Sequence, residues 1–435
     1  MGTPLTARIA EEHANASRAL PPAGATAARR RTAIAALTAS GLPTSRDENW
    51  KYANLRPLER QKFLPARPQR ALTAAELPAP LAGFARYVFV DGVFAPQLSA
   101  ALDDATAAAV TPLTDPPDEP GVNPLGGVSP DERFALLSEA FATDGAAIRV
   151  TAREQSEPMH LEVLFVASAD AQDGASYPRL QLQLEPQARL QLIERHVSSG
   201  SAASFVNSAV TVAIGRGASL QHYRLQELGS RVIAFDTLSA VLAGDARYRL
   251  HAISTGAQSA RSTVRVQLAG ERADLMLAAV SLGERTQVQD SFALIEHAAP
   301  HAHTEQVFRG ISAGRARVAF NGKIVVARSA HGTDSRQSLR GLLAGPEAEI
   351  DVRPQLEIYT DEVRCSHGAT AGKLDDNMLF YLRSRGLDPE LAQRLLKWAF
   401  LEDVVATIDI AALRQQIEAR LAKQLPDAPL PTESP

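Results

Sequence analysis

The chain's single cysteine, Cys365, stands two residues before His367, inside the run "DEVRCSHGATAGKLDD" at 361–376. Thiolate and imidazole are the ligands of soft metal centres, and also the parts of a thiol nucleophile with its base. On a strand, residues i and i+2 project to one face, so one ion could meet both. A complete zinc site normally takes four protein ligands, and no second cysteine exists to supply one. The pair therefore reads three ways. It is half of a metal site, or a nucleophile whose orienting group lies elsewhere in the chain, or a small buried thiol beside a satisfied histidine. A second group, "EHAAPHAHTEQ", holds His297, His301 and His303, and Pro300 rules out a regular helix carrying all three. It reads as a polar loop at the edge of a repeat, with a metal clasp as the alternative. No carboxylate pair stands at a spacing that defends acid–base work. There is no P-loop, and "GRGAS" is not a phosphate loop.

A third candidate is a surface. In "LDPELAQRLLKWAFLEDVV", Asp388 is placed to cap a helix with Pro389 in its first turn and Glu390 at its positive end. Leu391, Leu395, Leu396, Trp398, Phe400, Leu401, Val404 and Val405 then point in almost every direction at helical spacing. The C-terminal zone has about 60 residues, too few to surround such a helix. Leu396, Trp398, Phe400, Leu401 and Val404 are the residues expected to meet a partner. Burial against the end of the chain's own strand repeat is the alternative.

The elements that must position these residues fall into three zones. Residues 1–155 are helical and then loop-rich. Residues 5–40 read as two helices, prolines recur from 64 to 130, Asp91-Gly92 marks a hairpin, and 131–144 is a short amphipathic helix. Residues 156–370 alternate with period two, as in "RLQLQLEPQARLQLIERHV". A corner motif recurs there: "LEPQARLQL", "IGRGASLQH", "LAGDARYRL", "LAGERADLML", "SAGRARVAF" and "LAGPEAEIDV". Its alanines, Ala188, Ala218, Ala246, Ala273, Ala316 and Ala348, are spaced 30, 28, 27, 43 and 32 apart. A recurrence of that size made of strands predicts a parallel β-helix, continuous over 160–363, with the small residue at a tight corner. A β-sandwich is the competing architecture. Residues 371–435 return to helical periodicity: "DDNMLFYLRSRG" closed by Gly386, the helix from Pro389, a stripe of Ile410, Leu413, Ile417 and Leu421, and a tail, "PDAPLPTESP", expected to be disordered.

Composition narrows the classes. The formal charge of −4, without a basic patch, gives no reason to expect nucleic acid. One cysteine excludes an internal disulfide framework and fits a reducing cytoplasm. "MGTPLTARIAEEHANASRAL" lacks the apolar stretch of a signal peptide, and its Gly2/Thr6 match to a myristoylation pattern reads as chance. No apolar run is long enough for a membrane helix.

Three stretches resemble one family. "LPTSRDENWKYANL" is similar to a W-K-Y motif near the start of the SufB/SufD family of iron–sulfur assembly proteins. "CSHGATAGKLDDNMLFYLRSRGL" with "LEDVV" resembles its C-terminal signature, and "FNGKIVVARSAHGTDSRQSLRGLLAGPEAEIDVRPQLEIYTDEVRC" the stretch before it. The likeness runs from about residue 40 to 410, and it is closer to the SufD branch than to SufB, whose several cysteines are missing. It implies a right-handed β-helix between helical terminal regions. It also implies a cytoplasmic scaffold without enzyme activity, pairing with SufB through the β-helix and docking the ATPase SufC through the C-terminal helical domain. Cofactors follow the same line: none bound permanently, and a transient iron–sulfur cluster at the SufB interface with His367 facing a SufB cysteine and Cys365 beside it. Histidine can replace cysteine at such clusters. Flavin binding, cluster type and a homodimer formed without SufB stay open. So do two rival functions: a cysteine-nucleophile enzyme using Cys365, and a purely structural β-helix adaptor.

Overall fold

A computed structural model of the chain describes residues 4–17, 20, 24–67, 71–113, 129–153, 157–168 and 174–425. The tail expected to be disordered lies outside them. Seven helices are present among the described residues: α1 (Pro4–Ala16), α2 (Gly24–Ser40), α3 (Asp104–Ala109), α4 (Arg133–Phe141), α5 (Asp376–Ser384), α6 (Pro389–Val405) and α7 (Ala411–Gln424). The early strands are β1 (Ala85–Val90), β2 (Val93–Phe94), β3 (Val110–Pro112), β4 (Ala146–Val150), β5 (Met159–Ala167), β6 (Ala175–Ser176) and β7 (Arg179–Leu184). Then come β8 (Arg189–Ser198), β9 (Ser204–Ile214), β10 (Ser219–Glu227), β11 (Val232–Leu242), β12 (Arg247–Ser254), β13 (Ser259–Leu268), β14 (Asp274–Gly283) and β15 (Val288–His297). The last are β16 (His303–Ala313), β17 (Arg317–Val326), β18 (Thr333–Ala344), β19 (Glu349–Ile358) and β20 (Val363–Gly372).

From β7 onward the chain alternates between two sheets, one strand in each per turn. The first sheet runs β2-β1-β5-β8-β10-β12-β14-β16-β18-β20 and the second β19-β17-β15-β13-β11-β9-β7-β4-β3. All neighbours are parallel and in register except the antiparallel pairs β1–β2 and β3–β4. This is the expected parallel solenoid, of about seven turns, and not the sandwich of antiparallel sheets.

The corner alanines form a ladder, with one correction. Ala188, Ala218, Ala246 and Ala273 stack at the corner preceding the first-sheet strands, each accepting a backbone bond from the next rung. The next member is Ala302, whose carbonyl accepts from Asp334 N–H. Its corner, "PHAH", has the same Pro–x–Ala form as "EPQA" at Ala188. Ala316 and Ala348 belong to the opposite corner, ahead of the second-sheet strands, where Glu349 N–H bonds Ala316 O. Hence the spacing of 43. The residue before each first-corner alanine is left-handed: Gln187, Gly217, Asp245, Arg272 and His301 at φ 57–66°. That turn brings the chain round within a rung, and glycine fills it once in these five positions.

The solenoid also starts earlier than residue 156. The Asp91-Gly92 turn, left-handed at both residues, joins β2 to β1 as expected, but β1 then pairs in parallel with β5. β4 likewise joins β7.

Helical layers cover both outer faces. Trp50, Phe134, Leu137 and Phe141 pack on Phe205, Ile233 and Phe235 of the second sheet. The W-K-Y stretch lies across that sheet. Arg261, 1% exposed, sits 4.2 Å over the Trp50 ring and pairs with Asp290, while Asn49 bonds Asn321 and Glu48 pairs with Arg353 of β19. α6 and α7 lie on the outer face of the first sheet rather than at the solenoid end. Leu401, Val404, Val405, Leu413, Ile417 and Leu421 pack on Tyr223, Leu225, Ile253, Val280 and Ile311. Arg195–Gln416, His251–Thr407 and Arg309–Asp403 contacts fix the docking.

Candidate functional site

Cys365 and His367 both lie on β20, so the i, i+2 relation puts them on one face. Cys365 is half-buried and packs against the apolar interior of the solenoid. Burial first, and Asp334 second, push its thiol up. That is the opposite of the shift that activates a nucleophile. His367 is exposed.

Below each residue runs a column through the rungs. The Cys365 column is Leu190, Leu220, Tyr248, Leu275, Thr304, Ser335, Cys365. The His367 column is Leu192, His222, Leu250, Leu277, Gln306, Gln337, His367. Both turn polar in their last three members. Gln337 donates to Gln306 Oε1 at 2.7 Å and to Gly322 O at 3.1 Å across the interior. Gln337 Oε1 and Ser335 Oγ are buried without a partner among the described residues. Two oriented, unsatisfied polar atoms thus stand one rung beneath Cys365 and His367. Sequence reading missed them, although the signal was present: "HTEQVFRG", "DSRQSLRG" and "RCSHGATAG" are three copies of one rung.

β20 and β19 are the terminal strands of their sheets, ten residues each, and nothing among the described residues pairs their outer edges. At the other end, antiparallel β2 and β3 close the ladders. The solenoid is therefore capped at its beginning and open at its end, where Cys365 and His367 lie.

His297, His301 and His303 do not converge. His297 is 1% exposed and bonds Thr304 Oγ1, His301 is an exposed left-handed corner residue against His331, and His303 bonds Asp274. His301 and His303 lie at the edge and His297 is buried, and no cluster of three or more metal-ligating side chains occurs among the described residues. Cys365 and His367 supply two ligands at most, so a four-coordinate metal there needs donors beyond these two.

Of the expected partner-facing residues, Leu401 and Val404 are fully buried against the first sheet. Their side chains serve the chain's own core, which corrects the expectation for these two. Trp398 and Phe400 are half-buried at the margin of the same cluster, and Leu396 is also half-buried. The larger apolar exposure is on α5, which has no buried residue: Met378, Phe380 and Tyr381 are 57%, 73% and 56% exposed. No helix of the described residues is long and apolar enough to cross a membrane.

Residues 165–400 match the family model described as SUF system FeS cluster assembly, SufBD core domain. The iron–sulfur cluster assembly protein SufD of Escherichia coli (strain K12) is 32% identical over 391 residues, covering 90% of this chain and 91% of that protein. A SufBD family protein of Synechocystis sp. is 30% identical over 404 residues, 89% of each chain. One from Mycobacterium tuberculosis is 26% identical over 308 residues, 69% of this chain and 76% of the relative.

Proposed function

The chain belongs to the SufB/SufD family and serves iron–sulfur cluster assembly, and from that premise we propose that it is a non-catalytic, SufD-like scaffold subunit. It works in the cytoplasm, pairs with SufB through the open end of the solenoid and docks the ATPase SufC through the C-terminal helices. The nascent cluster is cargo, built where two chains meet. The observation that carries this reading is the coincidence of an incomplete ligand pair with an uncapped strand edge. A long unpaired edge is a template for another chain, and a pair of ligands two residues apart on that edge is completed by whatever pairs with it. His367 ligates as neutral imidazole, with Cys365 as its neighbour or co-ligand.

His367→Ala tests this. The variant is expected to assemble with SufB and SufC and to melt as the parent does, while iron and sulfide per assembled complex fall. Normal iron loading in the His367→Ala complex would refute the ligand role. A lowered melting temperature with normal loading would assign the histidine to structure instead.

A further inference from the structure

The geometry points to an oxyanion-binding groove on the solenoid edge, far from Cys365 in the rung order and taking a phosphate group. From β1 to β19, every strand arginine but two lies within 4.0 Å of a carboxylate. The exceptions are Arg189 and Arg247, both exposed. They are not scattered. Ser219 is in register with Arg189 on one side and with Arg247 on the other. At the usual strand spacing the two arginine Cα atoms stand about 9.6 Å apart, with the Ser219 hydroxyl between them. Guanidinium groups on stems that long can converge on one ion above the serine.

The surface there is concave. A groove of about 520 Å³ is lined by Arg189, Ser219 and Arg247 together with Gln187, Gln221 and Asp245. Asp245 does not cancel the two arginines, because Arg272 and Arg216 already hold it at 2.8 and 3.3 Å. The Arg272 hydrogen bond keeps its carboxyl below the usual range. The Gln221 amide is turned away, donating to Asp409 Oδ2 at 3.0 Å. Two uncommitted guanidiniums therefore remain, on a chain whose formal charge is −4. A tetrahedral dianion suits them: it offers oxygens to both bidentate forks and one to the serine hydroxyl. The site is independent of the SufB-facing edge and survives if the scaffold reading fails.

The probe is inorganic phosphate against chloride at matched ionic strength, with the folded full chain. Wild type is expected to gain melting temperature saturably with phosphate. R189Q and R247Q should each raise the half-saturating concentration about tenfold, the loss of one charge-assisted contact, and the double variant should show no phosphate-specific gain. Phosphorus NMR line broadening reads the same binding without a melt and covers a variant of altered stability. Absence of a phosphate-specific effect in wild type, or an equal effect in the double variant, overturns the proposal.

Discussion

Two histidines set an acid limit on this fold. His251 bonds Thr407 Oγ1 between the first sheet and the C-terminal helices, and His297 bonds Thr304 Oγ1 inside the solenoid. Burial, helped by Arg249 and His303 respectively, lowers each to about 4 from the ordinary 6.5. The sign follows from the unfolded chain. There each imidazole takes a proton near pH 6.5, while the folded one refuses it until about pH 4. Stability is therefore flat above that upper value and is lost as pH falls between the two. At about 1.4 kcal/mol per unit, each contributes a loss of about 3 kcal/mol at the acid end. Urea unfolding at pH 7 and pH 4.5 should show the decline. His251→Gln, which keeps a donor for Thr407, should flatten part of it, and an unchanged pH slope would remove His251 from the account. Cys365 shows what was legible at this scale. Its spacing to His367 was readable, but the direction of its shift was not, because that depends on the interior packing and on Asp334 across the rung.

Helix α6 looked apolar all round because the sequence cannot say which side a sheet will cover. The chain's own first sheet takes Leu401, Val404 and Val405, whereas α5, read merely as a capped helix, keeps no side chain buried. The capping was legible. Asp375 and Asp388 accept the first-turn N–H groups, and Gly386 turns left-handed after α5. Local signals of this kind depend on neighbours in sequence, so they survive; docking depends on surfaces far away in sequence, so it does not. The two helices allow the core role and the proposed SufC contact to be tested separately. Leu401→Ala is expected to cost about 2–5 kcal/mol by opening a cavity and to leave SufC capture intact in whatever fraction folds. Phe380→Asp, at a 73% exposed position, is expected to leave the melting temperature in place and abolish SufC pull-down. Retained SufC binding by Phe380→Asp, Met378→Asp and Tyr381→Asp would move the contact off α5.

At the scale of the whole molecule, the solenoid has a direction. It begins under antiparallel caps and a helical layer, and it ends in two bare strands. Repeat proteins need capped ends for solubility, and on the proposed scaffold reading SufB supplies the cap at the end left bare among the described residues. The ladder tells which groups would receive it. Asp334 N–H reaches back to Ala302 O, and β20 continues that register with Arg364 beside Asp334. In a parallel ladder successive residues turn their amides to opposite sides. Arg364, Ser366, Gly368 and Thr370 therefore bond back to β18, and Cys365, His367, Ala369 and Ala371 direct their N–H groups to the open side. Proline at one of the latter removes an outward donor and no ladder bond, a position where strands tolerate it. Ala369→Pro should accordingly melt close to wild type when alone. Coexpressed with SufB it should fail to form the pair by size-exclusion chromatography with light scattering. Thr370→Pro, one residue on, breaks the bond to β18 and should lower the melting temperature instead. Wild-type pairing by Ala369→Pro would mean that SufB meets this chain somewhere other than the β20 edge. His367 would then be exposed to solvent in the complex, with no second chain to complete its site.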